Sequence, residues 1–195
     1  MSDADSIRQD SLPTVTQQAV AFAEAEARAG AGEVGGDNAG PFVEKYLNAN
    51  HPERITHRGE PWCVAFYCWC WLQAARSAGT ELPVSFTRSA HQLWGWLAAH
   101  GQVLTRAQAL AQKEPGGPEV SFRPAPGDAV FWDFSGNGEP DHVNMLHHID
   151  ADGTIHTIGG NEGNEESGAP VRVKRRGLLE ELGRVLGFGR MYRSP

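Results

Sequence analysis

GEPWCVAFYCWCWLQAARSAG, residues 59–79, is the stretch from which the rest of the chain is best read. From residue 62 to 77 no Gly or Pro interrupts a run dominated by Trp, Cys, Phe and Ala, and Gly79 supplies a stop. A segment apolar on all sides predicts a helix buried nearly all round. Cys63 falls at its head, directly after Pro61 and Trp62, where free backbone N–H groups and the helix dipole stabilise a thiolate. A free cysteine is also an ordinary small core residue, and position alone leaves both readings open. Helical geometry, at about 100° and 1.5 Å per residue, turns Cys63 and Cys68 about 140° apart and Cys68 and Cys70 about 200° apart. Cys63 and Cys70 share a face but are separated by roughly 10.5 Å along the axis, too far for a common zinc. Cys68 and Cys70 are therefore expected in the core, and no metal or cofactor is expected.

Working outward, residues 15–30 carry Val15, Ala19, Phe22, Ala23 and Ala27 at helical spacing and end at Gly30. A glycine-dense loop follows, then a short helix after Pro41. Leu93, Trp94 and Leu97 mark a further helix closed by Gly101. The breaker-rich residues 113–126 separate this helical part from DAVFWDF, HVNMLHHID, TIHTIG, VRVKRR and VLGFGRMYR, short runs divided by turn residues. Helices first and strands second predict an α+β fold, with the helices on one side of an antiparallel meander of about five strands. Residues 1–13 read as a frayed N-terminus and residues 14–195 as one domain.

The 195-residue chain is 40% hydrophobic, enough for a core, and carries a net charge of −7, which argues against a nucleic-acid partner. Residues 171–195 hold seven basic side chains against two acidic ones, an excess that reads as a solvated strand face. No stretch approaches the roughly 18 apolar residues of a membrane span. The polar, acidic first residues lack the pattern of a secretory signal. Three cysteines, an odd number within eight residues, suit synthesis in a reducing compartment.

Of the eight histidines, His142 opens an apolar run directly after the turn GNGEPD, so its ring stands at a strand end beside a loop. His147 and His148 are neighbours in the same run and are expected to project to opposite faces. TIGGNEGN then offers Asn161 and Glu162 just beyond a strand, and a Cys–His mechanism needs such a polar group to orient the imidazole. An ordinary Gly-Asn turn explains the same residues. Trp62, Trp94 and Trp132 are candidates for lining a sugar or peptide groove, with core packing as the competing role.

Taken together, GEPWCVAFYCWCW, APGDAVFW, DHVNML and TIGGNEGN resemble, in that order, the motifs of the CHAP family, the cysteine- and histidine-dependent amidohydrolases and peptidases of the papain-like group. The upstream EVGGDNAGPFVEKYL is similar to the approach segment of phage-type members, so the resemblance extends over roughly residues 33–193. It implies a papain-like fold with Cys63 as nucleophile, His142 as general base and acid, and Asn161 as the orienting group. Two positions depart from the family pattern. Gly159 stands where many members have an acidic residue, and Asn144 where Gly is frequent after the histidine.

The resemblance implies a peptidoglycan hydrolase that cuts an amide bond, either the muramoyl-L-alanine link or one in the stem or cross-bridge peptide. A phage-type lysin released through a pore and an antibacterial effector delivered by a secretion machine both fit a chain without a signal peptide. An effector would meet an immunity protein at the Cys63 cleft. A thiol acyltransferase or deamidase on a non-wall substrate, and a non-catalytic binding module, are the alternatives. The expected species is a monomer acting in the cell wall or periplasm.

Overall fold

A computed structural model describes residues 14–112, 120–162 and 169–192. The N-terminal segment expected to fray, residues 1–13, lies outside the described residues, as does part of the breaker-rich stretch. Helix α1 (Val15–Arg28) starts at a reciprocal cap in which the Thr14 hydroxyl accepts from the Gln17 N–H and the Gln17 side chain accepts from the Thr14 N–H. Helix α2 (Pro41–Leu47) begins on Pro41. Helix α3 (Cys63–Ser77) is the run that opens the sequence reading, and eleven of its fifteen residues are buried. Helix α4 (Ala90–Ala99) is capped by the Ser89 hydroxyl.

Strand β1 (Val103–Thr105) and helix α5 (Arg106–Ala111) lead into β2 (Ala129–Trp132), β3 (His142–Ile149), β4 (Thr154–Gly159), β5 (Arg172–Leu178) and β6 (Val185–Gly189). All pairings are antiparallel, in the order β1-β6-β2-β3-β4-β5. The α+β class holds, with two refinements. Among the described residues there are six strands rather than about five, because β1 is only three residues long and too short to show an alternation. The meander covers β2 to β5 only, and β6 returns across the sheet to pair with β2.

Side-chain alternation on β2 divides the interior. Ala129 and Phe131 join the core shared with α1 to α4, whereas Val130 and Trp132 join a second core with Leu104, Phe188 and Ala109 of α5. The first four helices thus cover one face and the short α5 the other, a departure from helices on one side only. Strand β3 also carries a bulge, since Leu146 pairs with Thr157 and His148 with His156, leaving His147 as the extra residue. The bulge cancels the expected alternation, and Nδ1 of His147 lies 2.8 Å from Nδ1 of His148.

Candidate active site

Cys63 is the first residue of α3, and no side chain caps that helix end. Its N-terminal N–H groups are left to act on whatever stands before them. The neighbouring Trp62 is fully buried, stacks on Tyr46 at 5.5 Å, and donates from its indole N–H to the Glu33 carboxylate at 3.0 Å. That anchorage fixes the turn into the helix. Gly160 completes it, because a Cβ there would run into the Trp62 ring.

His142, the first residue of β3, reaches the Cys63 thiol and shares a side-chain hydrogen bond with it. Burial opposes ionisation of the thiol, but the charge of His142, its hydrogen bond, and backbone hydrogen bonds at Val143 and Val64 outweigh it. The Cys63 thiol is drawn below its ordinary range. Burial acts on His142 in the opposite direction, and the Cys63 thiolate and the Glu162 carboxylate overcome it, so the imidazole is pushed up to about 9. The two shifts run in the direction of a thiolate beside an imidazolium. The other two cysteines of the helix mark the contrast, since burial pushes Cys68 up to about 12 and Cys70 well above the usual thiol range. Both are core residues.

The third position differs from expectation. Asn161 sits in a left-handed turn, φ 58°, just past the end of β4, and the groups at the His142 ring are Glu162 and Asn144 instead. Glu162 Oε1 is 3.6 Å from His142 Nε2, and Asn144 Nδ2 is 2.9 Å from the same nitrogen. Asn144 also donates to Glu162. Its amide cannot turn over freely, because Arg176 donates to Asn144 Oδ1 at 2.9 Å. Asn144 shares a strand face with His142, two residues away, which places its amide beside the ring.

Glu162 is a buried carboxylate with dedicated partners. Lys174 approaches Oε2 at 2.6 Å and Arg176 approaches Oε1 at 2.5 Å, while Arg172 and Lys174 also donate to its backbone carbonyl. Burial raises a carboxyl, but His142, Arg176 and Lys174 together bring Glu162 down to about 2. Arg172, Lys174 and Arg176 alternate along β5 and so share one side of it. The basic excess read as a solvated face is therefore, in these three residues, the counter-charge for one internal anion.

The two departures from the family pattern are parts of one arrangement. A Cβ on Gly159 would meet the Asn144 amide and the Glu162 carboxylate. The space an acidic side chain would need at position 159 is filled by a carboxylate from three residues further on and an amide from β3. Sequence reasoning offered Glu162 beside Asn161 but favoured Asn161, and it missed Arg176 and the pairing of Asn144 with Glu162. The signal available was the alternating basic run of β5, which needs an anion once it is not solvated.

The tryptophans divide by burial. Trp62 is core, and Trp132 is buried with the Arg176 guanidinium 5.0 Å over its ring, so neither is presented to a substrate as expected. Trp94 is half-buried, edge-on to Phe131 at 5.0 Å. Phe134, not anticipated from sequence, is half-exposed, stacks on Trp132 at 5.4 Å, and lies 5.6 Å from the His142 ring. Glu33, in the glycine-dense loop, accepts from the Trp62 indole.

The model of the CHAP domain matches residues 55–161, just over half of the chain. The chain belongs to the CHAP family. Neither a search of curated proteins nor one of solved structures found a match. The family consists of cysteine- and histidine-dependent amidohydrolases and peptidases, and this CHAP domain is a hydrolase of the amidase or peptidase type. The matched span runs from ahead of α3 to the end of β4 and contains Cys63 and His142 but stops one residue short of Glu162. No helix among the described residues is long and apolar enough to cross a membrane.

Proposed function

We propose that this CHAP protein hydrolyses an amide bond of peptidoglycan, with Cys63 as nucleophile, His142 as acid and base, and Glu162 as the group that orients and charges the imidazole. The observation that carries the reading is the uncapped N-terminus of α3, where Cys63 is held below its ordinary thiol range by a histidine with a buried carboxylate behind it.

The Cys63 thiolate attacks the carbonyl carbon of the amide, and the Cys63 backbone N–H at the helix start is placed to donate to the oxyanion. The His142 imidazolium gives its proton to the leaving amine as the C–N bond breaks, which leaves a thioester and a neutral ring. Neutral His142 then takes a proton from water, hydroxide adds to the thioester, and the carboxylic acid leaves with the thiolate restored. The Glu162 carboxylate, 3.6 Å from Nε2, favours a proton on that nitrogen in both states of the ring, which leaves the opposite ring nitrogen to exchange protons with the substrate and water. Phe134 offers an exposed ring face beside the reacting groups, suited to a sugar or peptide segment of the wall.

The test is mass spectrometry of soluble products from purified peptidoglycan treated with the wild type and with Cys63→Ala. Release of whole stem peptides that depends on Cys63 identifies an amidase, and cleaved stems or cross-links identify an endopeptidase. Absence of any Cys63-dependent product from walls of several cross-link types overturns the reading in favour of acyl transfer or binding.

A further inference from the structure

At the far end of β3 from His142, roughly 20 Å along the strand, stands a second cluster of polar side chains that the hydrolytic site does not use. His148 and His156 are a cross-strand pair of β3 and β4, and their rings stack at 4.0 Å with 15° between planes. Both point their Nε2 atoms at the carboxylate of Asp150 in the connecting turn. His156 Nε2 is 2.8 Å from Oδ2 and His148 Nε2 is 3.4 Å from Oδ1. One ligand atom from each of the three residues lies within 4.8 Å of the others. Around a tetrahedral ion with bonds of about 2.0–2.2 Å, neighbouring ligand atoms are separated by roughly 3.3–3.6 Å, so small side-chain rotations bring the three to that spacing.

We propose that His148, His156 and Asp150 form a binding site for a divalent transition-metal ion of zinc's class, a site separate from the hydrolytic centre. Two imidazoles and one carboxylate are a donor set that suits zinc and leaves a fourth position open to solvent, since His148 and Asp150 are both more than a third exposed. The support behind His148 is the second observation. Its other ring nitrogen meets Nδ1 of His147 at 2.8 Å, and Nε2 of His147 meets the Glu24 carboxylate of α1 at 2.8 Å. With Nε2 of His148 free for a metal, its Nδ1–H donates to His147, whose Nε2–H donates to Glu24. Every proton in that relay has an acceptor, and the result is the carboxylate–histidine support that orients metal-bound imidazoles. The β3 bulge produces this arrangement by bringing two successive histidines together. An ion here cross-links the β3–β4 hairpin and, through His147 and Glu24, holds α1 to it.

The test is calorimetric titration of zinc chloride into the untagged full-length chain carrying Cys63→Ala, which removes the reactive thiol as a competing ligand. One zinc per chain is expected, with a rise in melting temperature as zinc is added. His156→Ala and Asp150→Asn are expected to abolish one-to-one binding. His147→Ala, which keeps all three ligands, is expected to weaken it by about 10–100-fold. Cobalt(II) at the site is expected to give visible d–d bands more intense than those of the hydrated ion, as a tetrahedral nitrogen and oxygen set does. Absence of binding at micromolar zinc, or equal binding by Asp150→Asn, an isosteric change at an exposed position, overturns the proposal. The readouts do not involve peptidoglycan and stand apart from the hydrolytic reading.

Discussion

Glu162 Oε1 stands 3.6 Å from His142 Nε2, although the position two residues before Asn161, where the family pattern often has an acid, is Gly159 here. The carboxylate behind the histidine comes from the turn beyond β4, and three basic side chains of β5 hold that segment in place.

Replacing Glu162 by Gln removes the charge that raises His142 and keeps the shape. The rate of wall hydrolysis is expected to fall about 100-fold, mainly in kcat, and the alkaline limb of the pH–rate profile is expected to move to lower pH. A role limited to packing leaves that limb where it is, so the profile decides the matter.

The thiolate–imidazolium pair gives the wild type a bell-shaped profile. Activity is expected to rise as Cys63 ionises below the ordinary thiol range and to decline as His142 loses its proton at about 9. Stability follows the same groups with definite signs. His142 is raised in the folded state, so its contribution is complete below pH 6.5 and is lost as pH rises through about 9. Glu162 is depressed, so its contribution is present above pH 4.5 and is lost as pH falls through about 2. Urea unfolding across this range, for the wild type and Glu162→Gln, checks both directions, the second being absent in the variant.

Gly159→Ala is expected to destabilise by about 1–3 kcal/mol, because the added methyl meets the Asn144 amide and the Glu162 carboxylate. Asn144→Gly in the same chain removes one of the two obstacles, so the double variant is expected to recover part of the loss relative to the sum of the single ones. A double-mutant cycle of unfolding free energies measures that coupling, and strict additivity counts against the shared space.

Phe134→Ala and Trp62→Ala separate an exposed aromatic from a buried one. Phe134→Ala is expected to raise KM for wall fragments several-fold with little change in melting temperature, since the ring is half-exposed. Trp62→Ala is expected to cost about 3–5 kcal/mol in unfolding free energy, because the ring fills the space between Tyr46, Phe66 and Gly160. Thermal melts with hydrolysis kinetics on both variants distinguish the two roles.

Alkylation at neutral pH is expected to label Cys63 and to spare Cys68 and Cys70, which burial holds protonated. His142→Ala removes the partner that lowers the thiol, so labelling of Cys63 is expected to slow and to recover only at higher pH. Peptide mapping of the alkylated chain reads out each cysteine separately.

Local pattern carried much of this molecule. The uninterrupted apolar run over α3, the change from helical to extended periodicity, and the places of Cys63 at a helix start and His142 at a strand start were legible because each depends on neighbours a few residues away. The turn at Asn161 was legible too, but not which of Asn161 and Glu162 faces the histidine. That choice depends on Arg172, Lys174 and Arg176 arriving from β5 and on the Asn144 amide arriving from β3, and side chains this far apart in sequence are brought together only by strand register. The same holds for the paired histidines, since a one-residue bulge in β3 leaves no local mark yet reverses which side chains meet. Sequence by itself determined the fold class and brought Cys63 and His142 forward as candidates; tertiary structure decided which carboxylate stands behind the histidine, because a buried charge is stable only where counter-charges and hydrogen bonds converge.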